Sequence, residues 1–381
     1  MNEDKASRYQ RLKRQAGVAS VVWSTGLLAG LMATGWSLRL RSLAESISPS
    51  SAVLATAIYV ALLSILSEVG TLPLGFYSGF LLERRYGLST ETLRAWSRDQ
   101  IKSFALGLGL AWPAVLAVYG LIAASPIHWW LAAGLLFSLV VIGLANLAPV
   151  LLLPLFYHVK PLDRESLRAR LLALADRAGA RVLGVYEWGM GEKTKKANAA
   201  LAGLGRTRRI LVSDTMLAEY SEDEIEVVLA HELAHHVHGD IWKGIAFESG
   251  LILSGFFLAA RLLRVLAPVC SLRGVDDVAG LPLLLLAAGA VSIAMVPIAH
   301  AMSRAFERRA DRFALRLTGN PAAFVSAMRR LGAQNLAEDN PSKIVQWLFH
   351  SHPPIRERIA AAQAFPKTRR DDLGGPATAS V

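Results

Sequence analysis

Ser221-Glu222-Asp223-Glu224-Ile225-Glu226-Val227-Val228-Leu229-Ala230-His231-Glu232-Leu233-Ala234-His235 is the stretch on which the reading of this chain turns. Ser221, followed three residues later by Glu224, forms a capping box: each side chain accepts from the other's backbone N–H. A helix is therefore predicted to start here and to run through Ile225, Val228 and Leu229 to about Val237. Gly239 loosens the chain behind it. On such a helix His231 and His235 are i and i+4 and share a face, so both imidazoles can reach one zinc ion. Glu232 then stands beside the ion, where it can take a proton from bound water.

The surroundings of this helix point to a membrane. The chain of 381 residues is 53% hydrophobic and 19% charged, with mean hydropathy +0.37. A soluble domain is nearer a quarter charged. Six apolar stretches reach the roughly 20 residues that a bilayer crossing needs. They lie near 18–38, 54–80, 103–124, 129–153, 244–267 and 278–301. The first follows a basic head of Lys5, Arg8, Arg11, Lys13 and Arg14 and lacks a small-residue cleavage site, so an uncleaved anchor is expected. The net charge of +11 sits mainly between apolar runs, as in the cytoplasmic loops of membrane proteins, and no nucleic-acid partner is expected. The single cysteine, Cys270, excludes an intrachain disulfide framework and a thiolate metal cluster.

The positive-inside rule places the N-terminus, the loop with Arg84, Arg85, Arg94, Arg98 and Lys102, and the segment 158–243 in the cytoplasm. Arg39, Arg41, Arg261, Arg264 and Arg273 fall on the outer side and dilute that signal. The expected fold is mainly α, a polytopic α-helical membrane protein of about six to seven transmembrane helices. A small cytoplasmic zinc-peptidase region with a short β element completes it. Residues 1–157 form a four-span domain. Residues 158–365 form the peptidase domain, including the helices near 244–267 and 278–301. Residues 366–381 are expected to be a disordered tail. Within 158–243, residues 164–178 read as an amphipathic helix. Val182–Trp188 and Arg209–Val212 read as short β segments, with Gly203 and Gly205 as turn formers.

A catalytic zinc needs three protein ligands and one position for water. Ser303-Arg304-Ala305-Phe306-Glu307-Arg308-Arg309-Ala310-Asp311 offers the third. Glu307 and Asp311 are i and i+4, so Glu307 can ligate while Asp311 bonds the far nitrogen of a ligand histidine. Two spans separate His235 from Glu307, and an even number returns the chain to the side that holds His231. Taken alone, the charges at 307–311 would read as an ordinary solvated cluster at a membrane edge. The His231–His235 spacing is the H-E-x-x-H pattern of zinc-dependent peptidases.

Together with Ser351-His352-Pro353-Pro354-Ile355-Arg356-Glu357-Arg358-Ile359, these motifs resemble the type I CAAX prenyl endopeptidases. Those are integral-membrane zinc metallopeptidases, and the likeness covers most of residues 68–365. Glu83…Tyr86-Gly87-Leu88-Ser89, Pro154-Leu155-Phe156 and Asn198-Ala199…Arg209-Ile210…Asp214-Thr215 are similar to the family as well. Met190-Gly191-Glu192-Lys193-Thr194-Lys195-Lys196-Ala197-Asn198-Ala199-Ala200 is more similar to the prokaryotic branch than to members acting on prenylated proteins. The resemblance implies one Zn2+ per chain held by His231, His235 and Glu307, with Glu232 as general base. It implies Asn198 beside the substrate strand and the oxyanion, His352 as a second oxyanion donor, and Arg358 facing a substrate carboxylate or holding the site together. It also implies a water-filled intramembrane chamber and a peptide or protein substrate, while a composition rich in Ala, Leu and Arg fits a bacterial origin, and so an inner-membrane location, with the site facing the cytoplasm by the positive-inside rule. Peptide maturation and membrane-protein quality control both fit. The sequence sets no oligomeric state.

His238, at i+3 from His235, is a possible rival ligand but lacks the spacing of three-histidine peptidases, so it and His236 are expected at the surface or behind a ligand, and His300 reads as a chamber or interface residue. Glu68 and Glu248 lie in or beside apolar runs, facing either a polar interior or the membrane surface. A site-2 type intramembrane protease would need a later aspartate in the membrane, and Asp276 and Asp277 fall on the opposite side. A non-catalytic adaptor or sensor with a vestigial zinc motif is the reading from another class.

Overall fold

The computed structural model describes residues 4–203 and 207–366. Helices α1 (Lys5–Ala33), α2 (Trp36–Ile47), α3 (Ala52–Phe76), α4 (Leu82–Arg85), α5 (Leu93–Ala124), α6 (Trp129–Leu151) and α7 (Leu153–Phe156) come first. A π-helical turn, Tyr77–Leu81, joins α3 to α4. Then follow β1 (His158–Pro161), α8 (Glu165–Arg177), β2 (Val185–Gly189), β3 (Ala199–Ala202), β4 (Arg209–Ser213), α9 (Asp214–Glu219) and α10 (Glu222–Val237). The chain closes with α11 (Asp240–Leu266), α12 (Leu281–Thr318), α13 (Pro321–Gln334), α14 (Lys343–Phe349) and α15 (Ile355–Gln363). Gly205 and the tail from residue 367 onward, for which a turn and disorder are expected, lie outside the described residues.

These elements form two compact units that interleave in sequence. One holds the residues up to Gln10, Ala145–Ile241 and those from Ile298 onward; the other holds Arg11–Leu144 and Trp242–Pro297. The second unit is a helical membrane bundle. Five helices among the described residues are long and apolar enough to cross a membrane: Lys5–Ala33, Ala52–Arg85, Leu93–Ala124, Asp240–Leu266 and Val278–Thr318. Trp129–Ala145, within α6, is a shorter apolar helical stretch. Each predicted stretch falls mainly on helix, with breaks at residues 34–35, Leu152 and Ala267. Gly35 sits at φ 72 and ends the first helix, so residues 36–47 turn off as the separate α2. Tyr59, Leu63, Ile122, Trp129, Ala133 and Leu263 pack the bundle core.

At one end of this bundle α2 is held by polar contacts. Ser37 Oγ lies 2.7 Å from Tyr59 Oη and donates to Ala279 O at 2.6 Å. Asp277, 6% exposed, pairs with Arg41 and accepts from the Arg273 and Ala279 N–H groups at 2.9 and 3.0 Å. Asp277 is therefore spent on the loop it caps. Glu248 and Ser292 are the polar members of an otherwise apolar lining around a cavity of about 400 Å3.

The first unit is built on a four-stranded sheet of order β1-β2-β4-β3. β2 and β4 run parallel, and β1 and β3 pair antiparallel at the two edges. Leu167, Leu171 and Leu174 recur at i, i+4 and i+7 on α8 and are wholly buried, as the predicted amphipathic helix requires. They join Ile210 and Val212 of β4, Ile225, Leu229 and Leu233 of α10, and Phe324 and Met328 of α13 in one core. Each such leucine removed from water contributes roughly 1.5–3 kcal/mol. The segment after the sixth apolar stretch is a direct continuation of α12, which runs unbroken to Thr318 and carries Glu307 and Asp311.

Candidate active site

The helix that decides the reading is nucleated as its sequence dictates. Ser221 Oγ accepts from the Glu224 N–H at 3.3 Å, and Glu224 Oε2 accepts from the Ser221 N–H at 2.8 Å. Glu224, itself buried, also accepts from Ser326 Oγ at 2.6 Å, which ties the start of α10 to α13. From Ile225 to Ala234 most of α10 is buried. His231 is 6% exposed, and the rings of His231 and His235 stand nearly perpendicular with centroids 5.1 Å apart. Burial lifts the Glu232 carboxyl above the usual carboxylate range, against the pull of the two imidazoles.

Glu307 enters from α12. Its Oε2 lies 3.1 Å from His231 Nε2, and its Oε1 lies 3.4 Å from His235 Nε2. One donor atom from each of His231, His235 and Glu307 falls within 4.8 Å of the others. The far nitrogens are both held by carboxylates. His231 Nδ1 lies 2.9 Å from Asp311 Oδ1, and His235 Nδ1 lies 3.0 Å from Asp240 Oδ2.

This arrangement sets the tautomers. Each Nδ1–H donates to an aspartate, so each Nε2 carries a lone pair. Both lone pairs then face an anionic carboxylate, acceptor against acceptor. Glu307 Oε2 is buried without a properly aligned donor. A cation resolves the clash, and a set of two imidazoles and one carboxylate is the chemistry of zinc rather than of the all-oxygen calcium or magnesium sites. Burial alone would push the His231 imidazolium down. The Asp311 and Glu307 carboxylates outweigh it and lift it to about 9, so without a cation the site holds a proton in its place.

Two more predicted residues converge here. His352 Nε2 lies 3.3 Å from Glu307 Oε1, with 61% of its side chain still accessible. Arg358 donates to Asp311 through Nε at 2.9 Å and Nη2 at 2.6 Å, and that Nη2 is 4.0 Å from Glu307 Oε2. Asn198 is not tied to this cluster. It is exposed, just ahead of β3, and its backbone N–H donates to Ser213 Oγ at 3.0 Å. β3 itself shares the core with α10 through Ala199. His238 turns away: its Nδ1 lies 2.8 Å from Ala234 O and its ring packs on Phe313.

Asp240 escaped the sequence reading. It is 6% exposed and pairs with Arg309 as well as with His235. The signal lay in Gly239, whose φ of 66 reverses the chain after α10 and returns the next side chain to the histidine five residues back. Arg309, two residues after Glu307, completes that pair.

A helical membrane chain with an H-E-x-x-H helix, a distant glutamate and carboxylate-held histidines is, by class, a membrane zinc metallopeptidase. Residues 161–365 match the model of Peptidase family M48, and residues 2–158 match the CAAX prenyl protease N-terminal model, described as five membrane helices. In this chain that stretch carries α1, α3, α5 and α6, with the twelve-residue α2 between the first two. The Bacillus subtilis metalloprotease YhfN is 33% identical over 94% of this chain and 84% of its own. CAAX prenyl protease 1 of Saccharomyces cerevisiae is 28% identical over 80% and 71%. The crystal structure of S. mikatae Ste24p shares the fold with a TM-score of 0.83 at 24% identity, covering 94% of this chain and 87% of that one. The chain belongs to peptidase family M48. It is a multi-pass membrane zinc endopeptidase, as the resemblance implied.

Proposed function

We propose that His231, His235 and Glu307 hold one zinc ion per chain and that Glu232 is the general base of peptide-bond hydrolysis. The observation that carries this is the convergence of two imidazole lone pairs on the buried Glu307 carboxylate, each imidazole fixed from behind by an aspartate. When bound there, zinc supplies Lewis acidity, acidifying a water and polarising the scissile carbonyl. Glu232 takes the water's proton and delivers it to the departing amine, a task suited to a carboxyl whose proton affinity burial has raised. His352 and the Asn198 amide donate hydrogen bonds to the oxyanion. Arg358 fixes Asp311, and through it the tautomer of His231.

The substrate we assign is an extended stretch of a membrane-associated peptide or protein, cleaved at the cytoplasmic face of a bacterial inner membrane. β3 is an edge strand, and an extended peptide added to it would lie beside α10. Peptide maturation and clearance of damaged membrane proteins share this chemistry. The relatives named CAAX prenyl protease act on a substrate class that the Lys195-Lys196-Ala197-Asn198 segment, closer to prokaryotic members, does not favour. Residues 1–157 then serve as a four-span membrane half and 158–365 as the peptidase half.

The test is Glu232→Gln in the purified, membrane-reconstituted protein. Cleavage of a quenched peptide should fall by at least 100-fold, with close to one zinc per chain retained by elemental analysis. Retained cleavage refutes the assigned base, and absence of zinc in the parent protein refutes the ligand set. The same variant, expressed in native membranes, retains substrates for identification.

A further inference from the structure

In an antiparallel pair, alternate residues direct both backbone groups at the partner strand. Asn198 is in that phase: its carbonyl accepts from the Ser213 N–H at 2.9 Å, and its N–H donates to Ser213 Oγ. Ala200 and Ala202 follow opposite Leu211 and Arg209. Ala197, Ala199 and Leu201 therefore turn their N–H and C=O groups the other way, to the outer edge of the sheet. At Ala199 and Leu201 no described residue bonds to those groups. At Ala197 the edge is closed. Asn335 Oδ1 accepts from the Ala197 N–H at 3.3 Å, and Asn335 Nδ2 donates to Ala197 O at 3.4 Å.

One side-chain amide thus makes the two bonds that an added strand would make. Its position is fixed by its neighbours. Asn335 follows the last residue of α13, where Gln334 Nε2 donates to Lys195 O at 2.8 Å and Gln334 Oε1 accepts from Tyr220 Oη at 2.8 Å. Thr215 Oγ1 holds Lys196 O at 2.8 Å. The segment entering β3 is bonded on both flanks up to Asn198, and from Ala199, itself 5% exposed, the outer backbone groups have no bonded partner among the described residues.

We infer that Asn335 is a register stop: it confines an added peptide to Ala199 and Leu201 and so fixes which peptide bond reaches His231, His235 and Glu307. This rests on the reading of β3 as the peptide-binding edge. Asn335 touches no reacting atom; it is a positioning residue that sets specificity. Because a strand repeats every two residues, a peptide allowed to pair at Ala197 as well can also settle one pair further along. Its cleavage site then moves by two residues.

The experiment is an N-methyl scan of an internally quenched decapeptide, using the full chain in lipid nanodiscs. Each N-methyl group deletes one peptide N–H. With the parent protein, two positions spaced by two residues should raise KM about five-fold each at unchanged kcat, the scale of one hydrogen bond. With Asn335→Ala a third sensitive position appears two residues further along, and mass spectrometry finds a second product displaced by two residues. Asn335→Asp, which still accepts from the Ala197 N–H, keeps the parent pattern. If Asn335→Ala does not fold, Asn335→Ser, too short to span both groups, gives the same readout. Two sensitive positions in the parent, unchanged in the Ala and Ser variants, overturn the register stop and leave the edge-strand reading intact. No sensitive position in the parent overturns both.

Discussion

Asp311→Asn tests the logic of the metal centre most directly. Asp311 is 5% exposed and holds two groups at once: the Nδ1–H of His231 at 2.9 Å, and the Arg358 guanidinium at 2.9 and 2.6 Å. Asparagine keeps the shape and loses the charge. Removing such an outer partner of a metal-bound histidine costs about 10–100-fold in metal affinity, or about 1.4–2.7 kcal/mol. The second consequence falls on Arg358. Its side chain is 10% accessible, and its next carboxylate is Glu307 Oε2 at 4.0 Å. A buried ion left without its partner costs about 3–5 kcal/mol, and the asparagine oxygen, still accepting one bond, brings the loss to the lower end. The assay is zinc competition against a chelator of known affinity at fixed pH, alongside thermal unfolding followed by circular dichroism. The double variant Asp311→Asn/Arg358→Met separates the two effects. It should recover stability, because no charge is stranded, and leave zinc affinity low. Zinc affinity of Asp311→Asn within two-fold of the parent refutes the argument that the Asp311 charge strengthens His231 as a ligand.

Zinc uptake should depend on pH in a defined direction. The cation-free His231 holds its proton up to about pH 9, because Asp311 and Glu307 outweigh the opposing effect of burial. Zinc must displace that proton, so apparent affinity should fall about tenfold for each pH unit below that value; isothermal titration between pH 6 and 8 in two buffers of different ionisation enthalpy measures the released proton. A flat affinity over that range contradicts the assignment. The same raised value means that the metal-stripped chain gains stability from His231 below about pH 6.5 and loses it as the pH rises towards 9. At Gly239, φ is 66 and a Cβ would meet no atom within 4 Å, so the penalty for Gly239→Ala is purely conformational. It should cost about 1–2 kcal/mol, with Gly239→Asn recovering most of it, as read by urea unfolding of the detergent-solubilised protein. Equal losses for both would point to crowding instead of backbone strain.

What the sequence reveals here follows how locally each feature is determined. The capping box, the histidine spacing and the apolar runs are short-range patterns, and α10 and the membrane helices follow from them. β3 is Ala199-Ala200-Leu201-Ala202, residues with little strand preference, and only its pairing with β4 makes it extended. β1 ends in Pro161, tolerated because it lies at an edge. Predicted segments at Val182–Trp188 and Arg209–Val212 match β2 and β4 to within a few residues because they are rich in β-branched and aromatic side chains. Glu307 was legible through helix periodicity and the parity of membrane crossings. Asp240 was not, because its role depends on one positive φ at Gly239. The break at Gly35 is a backbone event inside an otherwise apolar run, which hydropathy passes over.

The separation of the ligands along the chain bears on how the enzyme is made. His231 and His235 are synthesised before α11 and α12, and Glu307 only after both. On the proposed assignment, a nascent chain that has just completed α10 carries two of the zinc ligands and the base but lacks the third ligand. His352 and Arg358, later still, are absent as well. The proposed centre is complete only once α11 and α12 have been made and the segment carrying His352 and Arg358 has joined them. A copy truncated before Glu307 would lack the proposed third ligand.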